Sequence, residues 1–176
     1  MLTIRSATNA DAEAVRQLIF SVLREYGLAP DPGHVDRDLC DIEASYFASG
    51  GLFEVLLDRK RRIVGTVGLF PLGERCCELR KMYFAPEIRG HGWGKALLKR
   101  MIAKAQAGGF EEMVLETAGV LREAIGLYQG FGFEPVPGDP EVARCDRRFR
   151  LGLAGYQPPE LRDLRVRLRE SNEASS

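Results

Sequence analysis

The chain has 176 residues, of which 45% are hydrophobic and 28% charged, and its formal net charge is zero. That is the size and composition of one globular domain. Zero net charge argues against a nucleic-acid partner, the lack of a long apolar run argues against a membrane span, and MLTIRSATNADAEAV lacks the basic-then-apolar pattern of a secretory signal, so a cytoplasmic chain is expected.

The opening LTIRSA reads as a strand. Thr8 with Asp11 three residues on is close to a capping box, and Val15, Leu18, Ile19, Val22, Leu23 and Tyr26 follow at helical spacing until Gly27. LAPDPG is a loop. A second amphipathic helix is expected beyond it, with Val35, Leu39, Ile42 and Tyr46 as its stripe and Gly50–Gly51 as its end. LFEVLLD, RIVGTVGLFPL and CCELRKMYFA read as three successive strands, the last closed by Pro86. Leu97, Leu98, Met101, Ile102 and Ala105 make a helix stripe stopped by Gly108 and Gly109. EEMVLETA is strand-like, LREAIGLYQG a helix, and FGFEPV and DRRFRLGL late strands. The order β-α-α-β-β-β-α-β-α-β-β implies antiparallel pairing at the centre and a parallel crossover around the helix at Lys95. The fold class is therefore α/β: a mixed central sheet of about seven strands with helices on both faces. The single domain is expected over 1–155. The tail over 156–176 is ambiguous between a short helix, which Pro159, Leu161, Leu164 and Leu168 favour, and a strand in LRVRLR, with its end disordered.

Cys40, Cys76, Cys77 and Cys145 form no CxxC pair, and there are two histidines, so no metal site is expected. The late arginines, including Arg144, Arg147, Arg148 and Arg150, read as a solvated face. The acidic run Asp36, Asp38, Asp41 and Glu43 suits either a cationic acceptor or a solvated helix face.

Between strand and helix lies RGHGWGK, Arg89 to Lys95. Alternating glycines at a helix N-terminus gather backbone N–H groups that suit an anion, most often phosphate. The spacing rules out GxxxxGK[ST], because Arg89 stands where its first glycine should be and Ala96 follows the lysine. It also rules out GxGxxG, since Gly90, Gly92 and Gly94 give GxGxG.

The remaining pattern, RxxGxG at Arg89, Gly92 and Gly94, resembles the pyrophosphate loop of the GNAT superfamily of acetyl-CoA-dependent N-acyltransferases. MYFAPEIRGHGWGKALL is similar to that family's strand-loop-helix, and EAIGLYQGFGFEPV to its second signature; the matched stretch covers residues 76–136. The resemblance implies a sheet splayed at the cofactor site and acetyl-CoA as co-substrate. It implies pantetheine contacts from backbone groups of Met82 and Phe84, and an oxyanion donor at the N–H of Tyr83 or its neighbour. The pyrophosphate would lie on Arg89, Gly90, His91, Gly92, Trp93, Gly94 and Lys95. Glu78 is the candidate general base, and Glu116 the alternative base or a holder of the substrate ammonium. Tyr128 occupies the position of the tyrosine that protonates the departing thiolate. Tyr26 and His34 lie in the segment that covers the acceptor. Leu121 departs from the family's asparagine, so that pantetheine contact is not carried over. The implied acceptor is a primary amine of a small molecule, with a protein amine or a non-catalytic CoA-binding module as alternatives. The resemblance is compatible with a homodimer.

Overall fold

A computed structural model describes residues 2–160 and 168–170. Among these described residues eight strands form one sheet: β1 (Leu2–Ser6), β2 (Leu52–Leu57), β3 (Ile63–Pro71), β4 (Cys76–Phe84), β5 (Glu112–Thr117), β6 (Glu134–Pro135), β7 (Arg147–Gly152) and β8 (Leu168–Glu170). Their spatial order is β6-β7-β5-β4-β3-β2-β1-β8. β1 to β4 form an antiparallel meander, and β4 and β5 are parallel. That parallel step is the crossover expected around α2 (Trp93–Ala107); the other helices are α1 (Ala12–Glu25) and α3 (Arg122–Gly130).

Alternation along β2 explains the two layers. Phe53, Val55 and Leu57 pack into a core with Val15, Ile19 and Leu23 of α1, whereas Leu56 points to the core that holds Leu97, Leu98, Met101 and Ile102 of α2. One charged side chain, Glu54, is also buried on β2 (3% exposed). Arg100 of α2 meets it with two hydrogen bonds, 2.7 and 2.9 Å, and Lys104 stands 3.2 Å away, so its desolvation is compensated. The same Arg100 donates to Glu170 of β8 at 2.8 Å.

The start of α1 follows its sequence signal. The Thr8 N–H donates to the Asp11 carboxylate at 2.9 Å, and Arg5 grips that carboxylate at 2.7 and 2.8 Å. The second predicted helix does not form. Its segment breaks into a 3₁₀ turn, Arg37–Leu39, and a π-type turn, Glu43–Phe47. Three of the four stripe residues, Leu39, Ile42 and Tyr46, are fully buried, while Val35 is half-buried. A regular helix fails because Asp36 is also drawn inside, where a continuous amphipathic helix would carry its polar face outward. The expected tail helix falls largely on 161–167 and 171–176, outside the described residues. Leu168–Glu170, within them, is a strand paired in parallel with β1.

Candidate active site

β4 and β5 pair at Cys76↔Glu112, Cys77↔Met113 and Glu78↔Val114, and there the ladder ends. β4 runs on to Phe84 along β3 alone, so the sheet opens on its β5 side from Leu79 onward. A bulge on β4 accompanies the opening. Between Thr66↔Tyr83 and Gly68↔Arg80, β4 carries one extra residue, and Lys81 takes φ +54°. That left-handed backbone costs a lysine about 1–2 kcal/mol. It is held by Thr66 Oγ1, which donates to the Lys81 carbonyl at 2.7 Å.

The opening leads into a cavity of about 1400 Å³. Ligand sites usually hold roughly 300–1,000 Å³, so there is room for a large ligand and a second reactant. One end is the glycine loop. Gly90 (φ +75°) and Gly92 (φ +87°) adopt conformations that disfavour a side chain, and α2 begins directly after them. At Gly94 a Cβ would approach Leu127 Cδ2 to 3.2 Å, so the third glycine serves close packing. The N-terminal N–H groups of α2 have no intrahelical acceptors, and the helix dipole reinforces them, which suits a pyrophosphate. His91 and Lys95 are exposed, while Trp93 is partly covered.

Arg89 is committed to the structure. Its Nε donates to the Phe84 carbonyl at 2.9 Å, and its terminal nitrogens grip Glu25 at 2.6 and 2.9 Å. Glu25 raises its pKa further, and the guanidinium lies 5.7 Å from the Tyr26 ring centroid. Arg89 and Tyr26 therefore fasten the loop to the end of α1. The Phe84 carbonyl, expected as a pantetheine contact, already accepts Arg89.

At the other end, Glu78 sits where the strands part. Burial raises its pKa; Arg80, whose Nε donates to Oε2 at 2.5 Å, opposes that shift. Tyr128 on α3 lines the cavity, packed near Phe133 at 5.7 Å between ring centroids. Burial, and then the neighbouring Tyr83, push its hydroxyl pKa well up, so it stays protonated at neutral pH. Met82, Tyr83 and Phe84 border the cavity on the open half of β4. Glu116 also lines it, but its two oxygens accept the N–H groups of Glu141 (2.9 Å) and Val142 (3.0 Å), and Arg148 is 3.4 Å away. Its carboxylate organises that loop and does not stand free for an ammonium. His34 lies at the rim with its side chain 89% exposed, 3.9 Å from Asp31. Leu121 caps α3 without a polar side chain.

The sequence reading missed a buried charge network behind the site. Asp36 is 0% exposed. It accepts two hydrogen bonds from Arg144 (2.8 and 2.7 Å), one from Lys81 (2.5 Å) and one from the Asp31 N–H (2.9 Å). Burial alone would raise the Asp36 pKa; these bonds outweigh it and bring it to about 2. Asp38 accepts Tyr46 Oη–H at 2.5 Å and lies 3.3 Å from Lys81. Arg144 also faces Tyr83, whose hydroxyl burial pushes to about 12 against the arginine's opposing pull, and Cys145, which burial pushes to about 11. Arg144 belongs to the arginine-rich stretch read as a solvated face; only its approach to Asp36 across 108 positions reveals its role. Asp41 and Glu43, by contrast, bind Asn9 at the surface.

The model of the acetyltransferase (GNAT) family matches residues 16–133. The chain belongs to the GNAT family. It is 35% identical over 167 residues to the Escherichia coli K12 protein named uncharacterized N-acetyltransferase YjgM, covering 92% of this chain and 93% of that one. It is 34% identical over 102 residues to human N-acetyltransferase 8B, spanning 55% of this chain and 45% of that relative. A GNAT-family acetyltransferase from Staphylococcus aureus Mu50 superposes with TM-score 0.81 at 26% identity, covering 87% of this chain and 99% of that one. A phosphinothricin acetyltransferase of Sinorhizobium meliloti, solved with acetyl-CoA, shares the fold at TM-score 0.67 and 22% identity, covering 90% and 94%. This GNAT protein is thus an acetyl-CoA-dependent N-acetyltransferase, with a mixed sheet open where the family fold implies. Among the described residues no helix is long and apolar enough to cross a membrane.

Proposed function

We propose that this GNAT enzyme transfers an acetyl group from acetyl-CoA to a primary amine of a small molecule by direct attack, with both reactants held together in the cavity. The observation that carries this reading is the shared cavity: one continuous space runs from the glycine loop past Tyr128 to Glu78. Among solved relatives of the fold, a spermidine N-acetyltransferase of Vibrio cholerae was crystallised with CoA and spermine.

In this reading the N–H groups from Gly90 to Lys95 hold the pyrophosphate, and backbone groups of Met82 and Tyr83 on the open edge of β4 hold the pantetheine arm. Acetyl-CoA supplies an activated acyl group as a thioester. An alkylamine has a pKa near 10, so freeing its lone pair at pH 7 costs about 4 kcal/mol. Glu78 takes that proton, directly or through water. Burial narrows the gap between its pKa and the amine's, while the contact with Arg80 favours its charged form at neutral pH. Tyr128 Oη–H is the hydrogen-bond donor to the leaving sulfur. Its raised pKa makes it a donor that transfers the proton only as negative charge develops there.

A thiol-release assay over amines, amino acids, polyamines and aminoglycosides tests the reading. Release with at least one acceptor is expected, and Tyr128→Phe should lower kcat by about 100-fold with acetyl-CoA affinity retained. Tight CoA binding without release for any acceptor would make the protein a CoA-binding module instead.

A further inference from the structure

Resting on that reading, we propose that the acceptor is an amino carboxylate, an α-amino acid or a close analogue, and that Arg80 is the residue that anchors its carboxylate. Arg80 is half-fixed before any ligand arrives. Its guanidinium lies over the Phe70 ring at 4.0 Å from the centroid, and its Nε is occupied by Glu78. Among the described residues its two terminal nitrogens make no hydrogen bond, the pair with Glu78 running through Nε, and Arg80 borders the cavity. A planar fork held by stacking and by its Nε, with both outer nitrogens open, is suited to a carboxylate.

Its neighbour sets the distance between the two ends of the acceptor. Glu78 Oε2 is bound to Arg80, and Oε1 makes no hydrogen bond among the described residues. An amine presented to Oε1 and a carboxylate presented to the fork of the arginine bound to that same glutamate lie close together on one acceptor. That is the geometry of an α-amino acid. In a protein lysine acceptor the carboxylate is part of a peptide bond and far from the ε-amine, so it would leave the fork empty.

A polycation fits poorly for the complementary reason. It would need open carboxylates along its length, and three of those nearby are already engaged with the protein's own cations, hydroxyls or backbone. Asp36 is held by Arg144 and Lys81, Asp38 by Tyr46 and Lys81, and Glu116 by the 141–142 backbone and Arg148. Glu123 and Glu141, both exposed at the rim, are carboxylates outside these networks.

The decisive measurement is kcat/KM for thiol release with free amino acids, each paired with its carboxamide and its decarboxylated amine. For the wild type the acid should exceed its neutral partners by about 10- to 100-fold, the effect of one charge-assisted bidentate contact. In Arg80→Ala that ratio should collapse towards one, and Arg80→Lys should restore part of it. The ratio cancels any general damage to Glu78, and unchanged acetyl-CoA affinity by calorimetry shows that the variant is folded. Equal turnover of acids and amines by the wild type, a preference for polyamines, or an unchanged ratio in Arg80→Ala overturns the assignment while leaving N-acetyl transfer intact. Absence of release with every acceptor removes the underlying reading and this one with it.

Discussion

Replacing Asp36 by Asn keeps the side-chain shape and removes one buried charge. The carboxylate's pKa falls from 3.8 to about 2, which corresponds to about 2.5 kcal/mol of folded-state stabilisation at neutral pH. Removing the charge also leaves Lys81 (6% exposed) and Arg144 (12% exposed) as buried cations that have lost a shared counter-ion. Breaking one side of such a pair typically costs about 3–5 kcal/mol. For a chain of this size that is a fall in Tm of about 6 to 20 °C. Urea unfolding at pH 7 reads it directly, as a lower midpoint at unchanged slope. The pH dependence is a second check. Because the folded-state pKa is depressed, the contribution is complete above the unfolded value of 3.8 and disappears as pH falls to about 2. The difference between wild type and Asp36→Asn should therefore shrink across that window. A loss under about 1 kcal/mol at pH 7, or a difference independent of pH between 4 and 2, would refute the account of the network.

The raised pKa of Glu78 predicts that the acidic limb of kcat/KM lies above the ordinary glutamate range; Glu78→Gln should remove that limb and lower kcat/KM by about 100-fold, whereas a limb that persists would point to another base. At Gly92, φ +87° makes alanine strained by about 1–2 kcal/mol, so Gly92→Ala should weaken CoA binding by about tenfold in calorimetry with little change in amine KM.

Much of this was legible in the sequence because it is written in periodicity and glycine. The meander of β2, β3 and β4, the stripes of α1 and α2 and the loop at Gly90–Gly94 all follow from local pattern, and each appears where the pattern puts it. The segment at 35–47 shows the limit. Its apolar stripe was readable, but its backbone was decided by Asp36, and Asp36 was decided by Lys81 and Arg144, far away in the chain. The bulge at Lys81 was invisible for a related reason: φ > 0 is usually flagged by Gly or Asn, and here the residue is a lysine held in place by tertiary contacts. Glu116 looked available as a carboxylate on β5, and only the position of the 141–142 backbone shows that it is taken.

Lys81 also poses an unusual problem for mutational reading. A glycine there would relax the kinked strand and, in the same step, remove a cation shared by two inward-facing aspartates, leaving Asp36 with Arg144 alone. The two effects have opposite signs, so the net change in stability would understate both. Only a substitution compensated elsewhere, at Asp36 or Asp38, would separate them. Position 81 is thus a point of built-in epistasis, where the tolerance of the strand that borders the cavity depends on residues some forty positions earlier in the chain.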